Sequence, residues 1–194
     1  MAGNYKKIVQ SVAYLATKSG ECGLNRLHAF KLLFLADRDH LRRCGSTITG
    51  DTYNAMKFGP LPVAAGRLIK AKRAPMEERE YADRFIQQEP VGRKKSMIRA
   101  LCCDFDQLAK EDVASLDAAW EAYLRCSDVI EYTHQFPEWR NAIAKLPEGE
   151  SAIPMDFADF FSPAPEQVEY CKADAEWVQA SKELYDESIW IGAL

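Results

Sequence analysis

The sequence of 194 residues lacks the usual markers of export, membrane insertion and zinc binding. Its N-terminal segment is too polar for a signal peptide, and no apolar run approaches the ~18 residues needed to cross a bilayer. The six cysteines form no C-x-x-C pair, and the adjacent Cys102 and Cys103 suit neither zinc nor a disulfide. We therefore expect a cytoplasmic protein, not bound to a membrane, whose reduced cysteines act as small apolar residues.

Catalytic and nucleotide-binding motifs are also missing. The sequence contains no G-x-S-x-G, no P-loop and no G-x-G-x-x-G, and its histidines lack the H-x-x-x-H spacing of zinc peptidases. His40 follows Asp37 by three residues, so the two share a helix face, and His134 is the one histidine that could complete a metal site with them. We expect no metal, no cofactor and no enzymatic activity; an enzyme would gather Asp37, His40 and His134 in one pocket.

What is present is a strong helical pattern with few strands. Apolar residues at helical spacing predict a mainly α (α+β) fold: a compact multi-helix domain with a short strand, a small antiparallel β-hairpin and a C-terminal helix. The strand is predicted at 52–57, ended by Gly59 and Pro60, and the hairpin pairs 84–88 with 96–101. Residues 147–165 contain three Phe and are expected to pack as a connection. Helices are predicted at 4–18, 25–43, 62–73, 110–125, 127–135, 137–145 and 166–187, with Ser127 as the N-cap of the fifth.

Charge is unevenly divided along the chain. Residues 1–99 hold 19 Lys and Arg against 9 Asp and Glu, and residues 100–194 hold 6 against 20, so the halves carry +10 and −14 within the net charge of −4. The halves could attract each other in the fold or meet an oppositely charged partner. Basic clusters at 67–73 and 93–99 resemble phosphate-binding stripes, but a pI near 5.5 and the lack of a helix-turn-helix pattern argue against nucleic-acid binding.

Residues 31–60 place polar groups on a leucine-rich helix and continue through a Gly-marked turn into the strand. This segment resembles the signature of the Panacea domain, the SocA-like antitoxin family, and further elements of that pattern follow it. The resemblance covers residues 5–160, and Ala109 departs from the Ser that the family often places there as a helix N-cap. The matching residues are Lys31, Leu32, Leu33, Ala36, Asp37, His40, Leu41, Gly45, Thr49, Gly50, Asp51, Tyr53, Ala55, Gly59, Pro60, Pro62, Asp104, Phe105, Asp106, Leu108, Thr133, His134 and Trp139.

The resemblance implies a type II antitoxin that neutralises a toxin encoded by the adjacent gene through direct protein–protein binding. It also implies two alternatives: a proteolytic adaptor that delivers its toxin to a Clp-type protease, and a phage or mobile-element protein that binds a host target. The family is paired with many unrelated toxins, so the fold does not identify the toxin. We divide the chain into a Panacea-like domain at 1–160 and a C-terminal helical extension at 161–194, whose role the resemblance does not supply.

The signature residues are expected to define the fold or to face the toxin. We expect Asp37 and His40 to tie their helix to the Thr-Gly-Asp turn, which needs Gly50 for its backbone angles. The candidate partner contacts are Tyr53, Lys57, Phe58, Arg67, Lys70 and Arg73, and the first three are expected to be exposed at the strand end. The signature residues considered as candidate sites are Lys31, Asp37, His40, Thr49, Gly50, Asp51, Tyr53, Gly59, Pro60, Thr133, His134 and Trp139.

Overall fold

A computed structural model describes residues 3–69, 74–91, 95–165, 168 and 173–192, and within them the predicted α+β class is confirmed. Helices surround two small antiparallel sheets. The α-helices are α1 (Tyr5–Lys18), α2 (Arg26–Cys44), α3 (Val63–Ile69), α4 (Met76–Phe85), α5 (Lys110–Arg125), α6 (Val129–Thr133), α7 (Pro137–Ile143) and α8 (Ala175–Gly192). The strands are β1 (Leu24–Asn25), β2 (Tyr53–Met56), β3 (Gly59–Pro62), β4 (Ile86–Val91), β5 (Lys95–Ala100) and β6 (Ala152–Pro154).

Helix α2 forms the centre of the molecule, and most of its side chains are buried on all sides. It begins where the Asn25 side chain accepts a hydrogen bond from the Leu27 N–H at 2.8 Å. It ends at Gly45, which adopts the left-handed conformation with φ +72°. A helix buried all round has no solvent face for its polar residues, so each of them needs a partner inside the protein.

The sheet β3-β2-β6 lies beside α2. Strand β2 is where the sequence predicted it and ends before Gly59, but the sequence did not predict that a second strand follows at Gly59 and Pro60. These residues begin β3, which pairs with β2 from Met56 opposite Gly59 to Tyr53 opposite Pro62. Helix α3 accordingly starts at Val63 rather than Pro62. The proline-rich composition of β3 concealed it, since proline is tolerated only on an edge strand.

The sheet β1-β5-β4 contains the predicted hairpin, formed by β4 and β5 with Ile86 opposite Ala100. Residues 92–94, at its turn, lie outside the described residues, as do residues 70–73 after α3. The sequence did not predict α4, which occupies part of the stretch assigned to the first hairpin strand. Its strongly charged sequence offers only Ala82 and Phe85 as buried residues, so its apolar periodicity is weak.

The second half of the chain follows the predictions more closely. Helix α5 has the predicted bounds, whereas α6 is capped by Asp128 and not by Ser127. The Phe-rich connection folds into β6 and a 3-10 helix at Phe157–Phe161, which buries Phe160 completely. The Phe160 ring packs on Phe34 of α2, with 5.6 Å between the two centroids, so the expected packing is confirmed.

The C-terminal helix α8 packs against the end of α2, where Gly45 lies close to Ser181 and Leu184. It was predicted at 166–187, and these bounds were wrong: the helix begins at Ala175 and continues to Gly192. Residues 166–167 and 169–172 lie outside the described residues. The Tyr185 ring contacts Phe161 at a centroid distance of 5.5 Å. Among the described residues, no helix is long and apolar enough to cross a membrane.

Ion pairs join the basic and acidic halves of the chain. Lys7 pairs with Asp112 at 2.6 Å, and Lys18 pairs with Asp117 at 2.7 Å. Both connect α1 to α5, so part of the charge division serves complementarity inside the fold. The use of either half against a partner stays a prediction.

Candidate functional site

The first signature cluster is built around the Asp37 carboxylate, which is fully buried on α2. It accepts hydrogen bonds from the Thr49 N–H at 3.0 Å, from the Thr49 hydroxyl and from the Tyr53 hydroxyl at 2.7 Å. Burial raises the Asp37 pKa to about 6, although these hydrogen bonds oppose the shift. The expected tie between α2 and the Thr-Gly-Asp turn is confirmed for Asp37.

The turn itself depends on Gly50 and Asp51. Gly50 has φ +61°, a conformation that glycine adopts without steric cost. The buried Asp51 carboxylate accepts hydrogen bonds from the Ala64 and Ala65 N–H groups at 2.7 and 2.8 Å, so it caps the start of α3. Burial raises the pKa of Asp51, and these backbone hydrogen bonds lower it. The turn thus connects α2 to α3 through two buried carboxylates.

Tyr53 belongs to this cluster and not to the surface. Its side chain is 1% exposed, its hydroxyl donates to Asp37, and its ring lies 5.7 Å from that of Phe34. The prediction that Tyr53 is an exposed contact was wrong. The alternation of β2 put Tyr53 and Ala55 on the inner face of the sheet, and a tyrosine with a carboxylate partner can be buried there.

The second signature cluster surrounds Gly59 at the start of β3. The Lys31 side chain is 1% exposed, and its Nζ donates to the Pro60 carbonyl at 2.8 Å. Burial lowers the Lys31 pKa to about 7. Gly59 has φ +86°, and a Cβ added there would lie 2.9 Å from both Lys31 Nζ and Thr133 Oγ1. Glycine is therefore required at position 59 for two reasons: the backbone angle and the close approach of these side chains.

His134 and Trp139 complete the second cluster. Their rings are stacked with 4.0 Å between centroids and 11° between planes. Trp139 Nε1 donates to the Met56 carbonyl at 3.1 Å, and a Cβ on Gly59 would lie 3.1 Å from His134 Cδ2. Burial lowers the His134 pKa. We call Lys31, Gly59, Thr133, His134 and Trp139 the hairpin clamp, because they hold both strands next to the β2–β3 turn.

His40 is engaged separately from both clusters. Its Nδ1 lies 2.6 Å from the Ser46 carbonyl oxygen, and its Nε2 lies 3.2 Å from Asp112 Oδ1. Both ring nitrogens of His40 thus face oxygen atoms, one from the backbone and one from a carboxylate. The contacts described for these residues do not join His40 to Asp37 or either one to His134. His40 therefore reaches the loop before the Thr-Gly-Asp turn, and not the turn itself.

Comparison with protein-family models assigns the chain to a family. The model described as "Antitoxin SocA-like, Panacea domain" matches residues 30–140, more than half of the chain. The chain belongs to the SocA-like antitoxin family. The match spans the hairpin clamp and the Asp37 cluster, so the resemblance seen in the sequence is confirmed. Neither the curated proteins nor the solved structures contained a similar protein.

The Panacea domain also contains a buried ion pair that the sequence did not predict. Arg38 and Glu138 are both fully buried, with Arg38 Nε 2.6 Å from Glu138 Oε1. Arg38 also donates to the Ser162 carbonyl at 2.7 Å, and its guanidinium lies over the Phe136 ring. An arginine in a leucine-rich helix was a visible signal, but its partner stands 100 positions away in the chain.

Helix α5 starts without a side-chain N-cap, as the Ala109 departure implied. Alanine has no side-chain acceptor, so only the reverse half of a capping box forms: Asp112 accepts from the Ala109 N–H at 2.8 Å. Asp112 also pairs with Lys7 and His40. The first turn of α5 is thus stabilised by the Asp112 carboxylate, which contacts the Ala109 N–H, Lys7 and His40.

The other candidate contacts have different positions. Lys57 and Phe58 form the β2–β3 turn and are exposed, as predicted, with 61% of Phe58 accessible to solvent. Arg67 is exposed on α3 and pairs with Glu78 at 3.4 Å. Lys70 and Arg73 lie outside the described residues. Within the described part of the chain, no group of three His, Cys, Asp or Glu residues could hold a metal ion.

Proposed function

We propose that this Panacea-domain protein is a type II antitoxin, which neutralises a toxin encoded by the adjacent gene by binding it directly. Membership of the SocA-like antitoxin family supports an antitoxin role. Most of the polar signature residues bond to each other or to the backbone, which supports a binding protein rather than an enzyme. Lys31 and Trp139 hold the β2–β3 hairpin, whereas Asp37 and Asp51 hold the Thr-Gly-Asp turn and the start of α3.

The observation that carries the proposal is the exposed Phe58 on a rigid turn. The turn is held by two hydrogen bonds from the hairpin clamp: Trp139 bonds to Met56 just before it, and Lys31 bonds to Pro60 just after it. An aromatic side chain at a fixed backbone position loses little conformational freedom on binding. Such residues are typical anchors of protein–protein interfaces, and Lys57 beside it adds a positive charge.

The size of the effect follows from the exposed area. A phenylalanine transferred from water into an interface contributes about 1.5–3 kcal/mol. Phe58→Ala should therefore weaken toxin binding roughly 10- to 100-fold, since each 1.4 kcal/mol corresponds to about a factor of ten. The fold should survive, because Phe58 is 61% exposed and its ring is not part of the core.

The test is co-expression with the adjacent gene, followed by co-purification and by affinity measurement with calorimetry. We expect the neighbour alone to arrest growth, the wild-type chain to restore it, and Phe58→Ala to weaken the complex. Leu124→Ala is the matched control, because Leu124 is an equally exposed apolar residue on α5, at 62%. Equal affinity in both variants would place the contact surface elsewhere on the protein.

The same experiment separates the alternatives. Rescue without a stable complex, together with falling levels of the neighbour, would indicate a proteolytic adaptor that acts with a Clp-type protease. A neighbour that is neither toxic nor bound would contradict the antitoxin proposal and favour a phage or mobile-element protein with a host target. A salt-sensitive shift of the operon promoter DNA would indicate a nucleic-acid regulator.

A further inference from the structure

A groove of about 600 Å³ opens between the end of α2, the loop that follows it and the last turns of α8. Its walls are mainly apolar, and the side chains that form them are Leu41, Phe157, Tyr185 and Ile189, with Thr47 and Ser188 at its polar edge. We call it the α8 groove. Ile189 is 53% exposed, so the groove leaves an apolar surface open to a ligand.

Carboxylates lie close to the α8 groove on the side formed by α8. Burial raises the Tyr185 pKa, and the nearby carboxylates of Asp156 and Asp186 raise it further. Within its described side chains, α8 carries four carboxylates against the single cation Lys182, which pairs with Asp186 at 2.6 Å. An apolar trough bordered by carboxylates is complementary to a segment that combines apolar and basic side chains.

The two walls of the groove differ in their relation to the family. Leu41 and the loop up to Thr52 lie inside the matched region of 30–140, whereas Phe157 and α8 lie beyond it. A surface made jointly by the shared domain and by a segment outside it can differ between members while the fold stays the same. This is the property needed by a surface that selects one toxin.

We propose that the α8 groove binds an apolar, basic segment of the cognate toxin and contributes to the choice of toxin. The inference rests on the antitoxin function proposed above. A second copy of this chain is a poorer occupant, because two acidic α8 helices would repel each other. The apolar walls supply the contact, and the surrounding carboxylates favour lysine or arginine in the bound segment.

The first test compares two variants of the full-length protein for affinity to the purified toxin. Ile189→Lys removes an apolar side chain from the groove lining and adds a positive charge that repels a basic segment, so it should weaken binding at least tenfold. Trp177→Lys is the matched control, since Trp177 is exposed on the first turn of the same helix and lies outside the groove lining. Circular dichroism would establish that both variants keep the helix, which is expected because both positions are more than half exposed.

The second test identifies the bound segment directly. A photoreactive phenylalanine derivative replaces Ser188 at the groove edge, the complex is irradiated, and the cross-linked toxin peptide is sequenced by mass spectrometry. We expect a peptide with apolar residues flanked by lysine or arginine, and no such product with the same group at Trp177. Wild-type affinity of Ile189→Lys, or a cross-linked peptide that is acidic, would overturn the groove proposal while leaving the antitoxin function intact. If the wild-type chain does not bind the toxin at all, the antitoxin function fails, and the groove proposal fails with it.

Discussion

The buried Lys31 gives the most specific prediction about stability. Its pKa is about 7 in the folded protein, and about 10.4 is expected in the unfolded chain. Between these values the unfolded chain binds more protons than the folded protein, so stability rises with pH. The ammonium form is penalised because burial removes it from water, and no carboxylate of the described residues is among the causes that set its pKa.

The magnitude follows from the two pKa values. Each pKa unit corresponds to about 1.4 kcal/mol, and half of Lys31 is already neutral at pH 7. Integration from pH 7 to pH 9 gives a gain of about 2 kcal/mol in the free energy of unfolding. Asp37 titrates below this window, because its folded pKa is about 6, so it does not mask the effect.

The assay is urea denaturation at pH 7 and pH 9, monitored by tryptophan fluorescence, for the wild-type protein and for Lys31→Met. The variant has no amine to deprotonate, so the wild type should gain about 2 kcal/mol more than the variant between the two pH values. Lys57→Met, at an exposed position, is the control and should behave as wild type. If Lys31→Met does not fold, Lys31→Gln replaces it in the same comparison, because glutamine also has no amine to deprotonate. Identical pH responses of the wild type and Lys31→Met would refute the reasoning.

Two further predictions concern the buried network. Gly59→Ala should destabilise the protein by about 2–4 kcal/mol, because the new Cβ clashes with Lys31 and the backbone is strained at φ +86°. Gly149→Ala is the control, because Gly149 has φ +85° but open space around it, and it should cost only the backbone strain of about 1–2 kcal/mol. Equal losses in urea denaturation would contradict the close packing of the hairpin clamp. Glu138→Gln should cost about 3–5 kcal/mol, because it leaves the buried Arg38 charge without a carboxylate. The double variant Arg38→Met/Glu138→Leu should recover most of that loss of stability in the same assay. If the double variant is less stable than Glu138→Gln, the attraction between the two charges outweighs the cost of burying them.

Sequence patterns predicted best those elements that have a single apolar stripe or a clear cap. Helices α1, α2 and α5 were recognised within a residue or two because their apolar periodicity is regular. Strand β3 was missed because a strand of Gly, Pro, Leu and Pro has no β-forming signal of its own. It exists because β2 pairs with it and because Lys31 and Trp139 hold the hairpin, which are tertiary causes.

The polar residues of α2 show the same limit at the candidate site. Their density indicated that the helix has a role beyond packing in the core. The contact between Asp37 and the Thr-Gly-Asp turn was predicted correctly. The partners of Arg38 and His40 could not be found, because Glu138 and Asp112 are distant in the chain and neither has a spacing that marks it. Tyr53 was placed outside because tyrosine is common at interfaces, a tendency that a buried carboxylate partner overrides.

The separation between buried and exposed residues bears on the proposed binding of a toxin. The hairpin clamp and the Asp37 cluster are bonded internally, so a change in either one alters stability first and binding only through the shape of the hairpin. Phe58 and Ile189 take no part in these bonds, so they can change with little cost to the fold. Under the proposed function, stability and toxin binding would therefore depend on different side chains. In a screen of surface variants, we expect toxin specificity to change at the turn and at the α8 groove, whereas variants of the clamp should lose binding only together with stability.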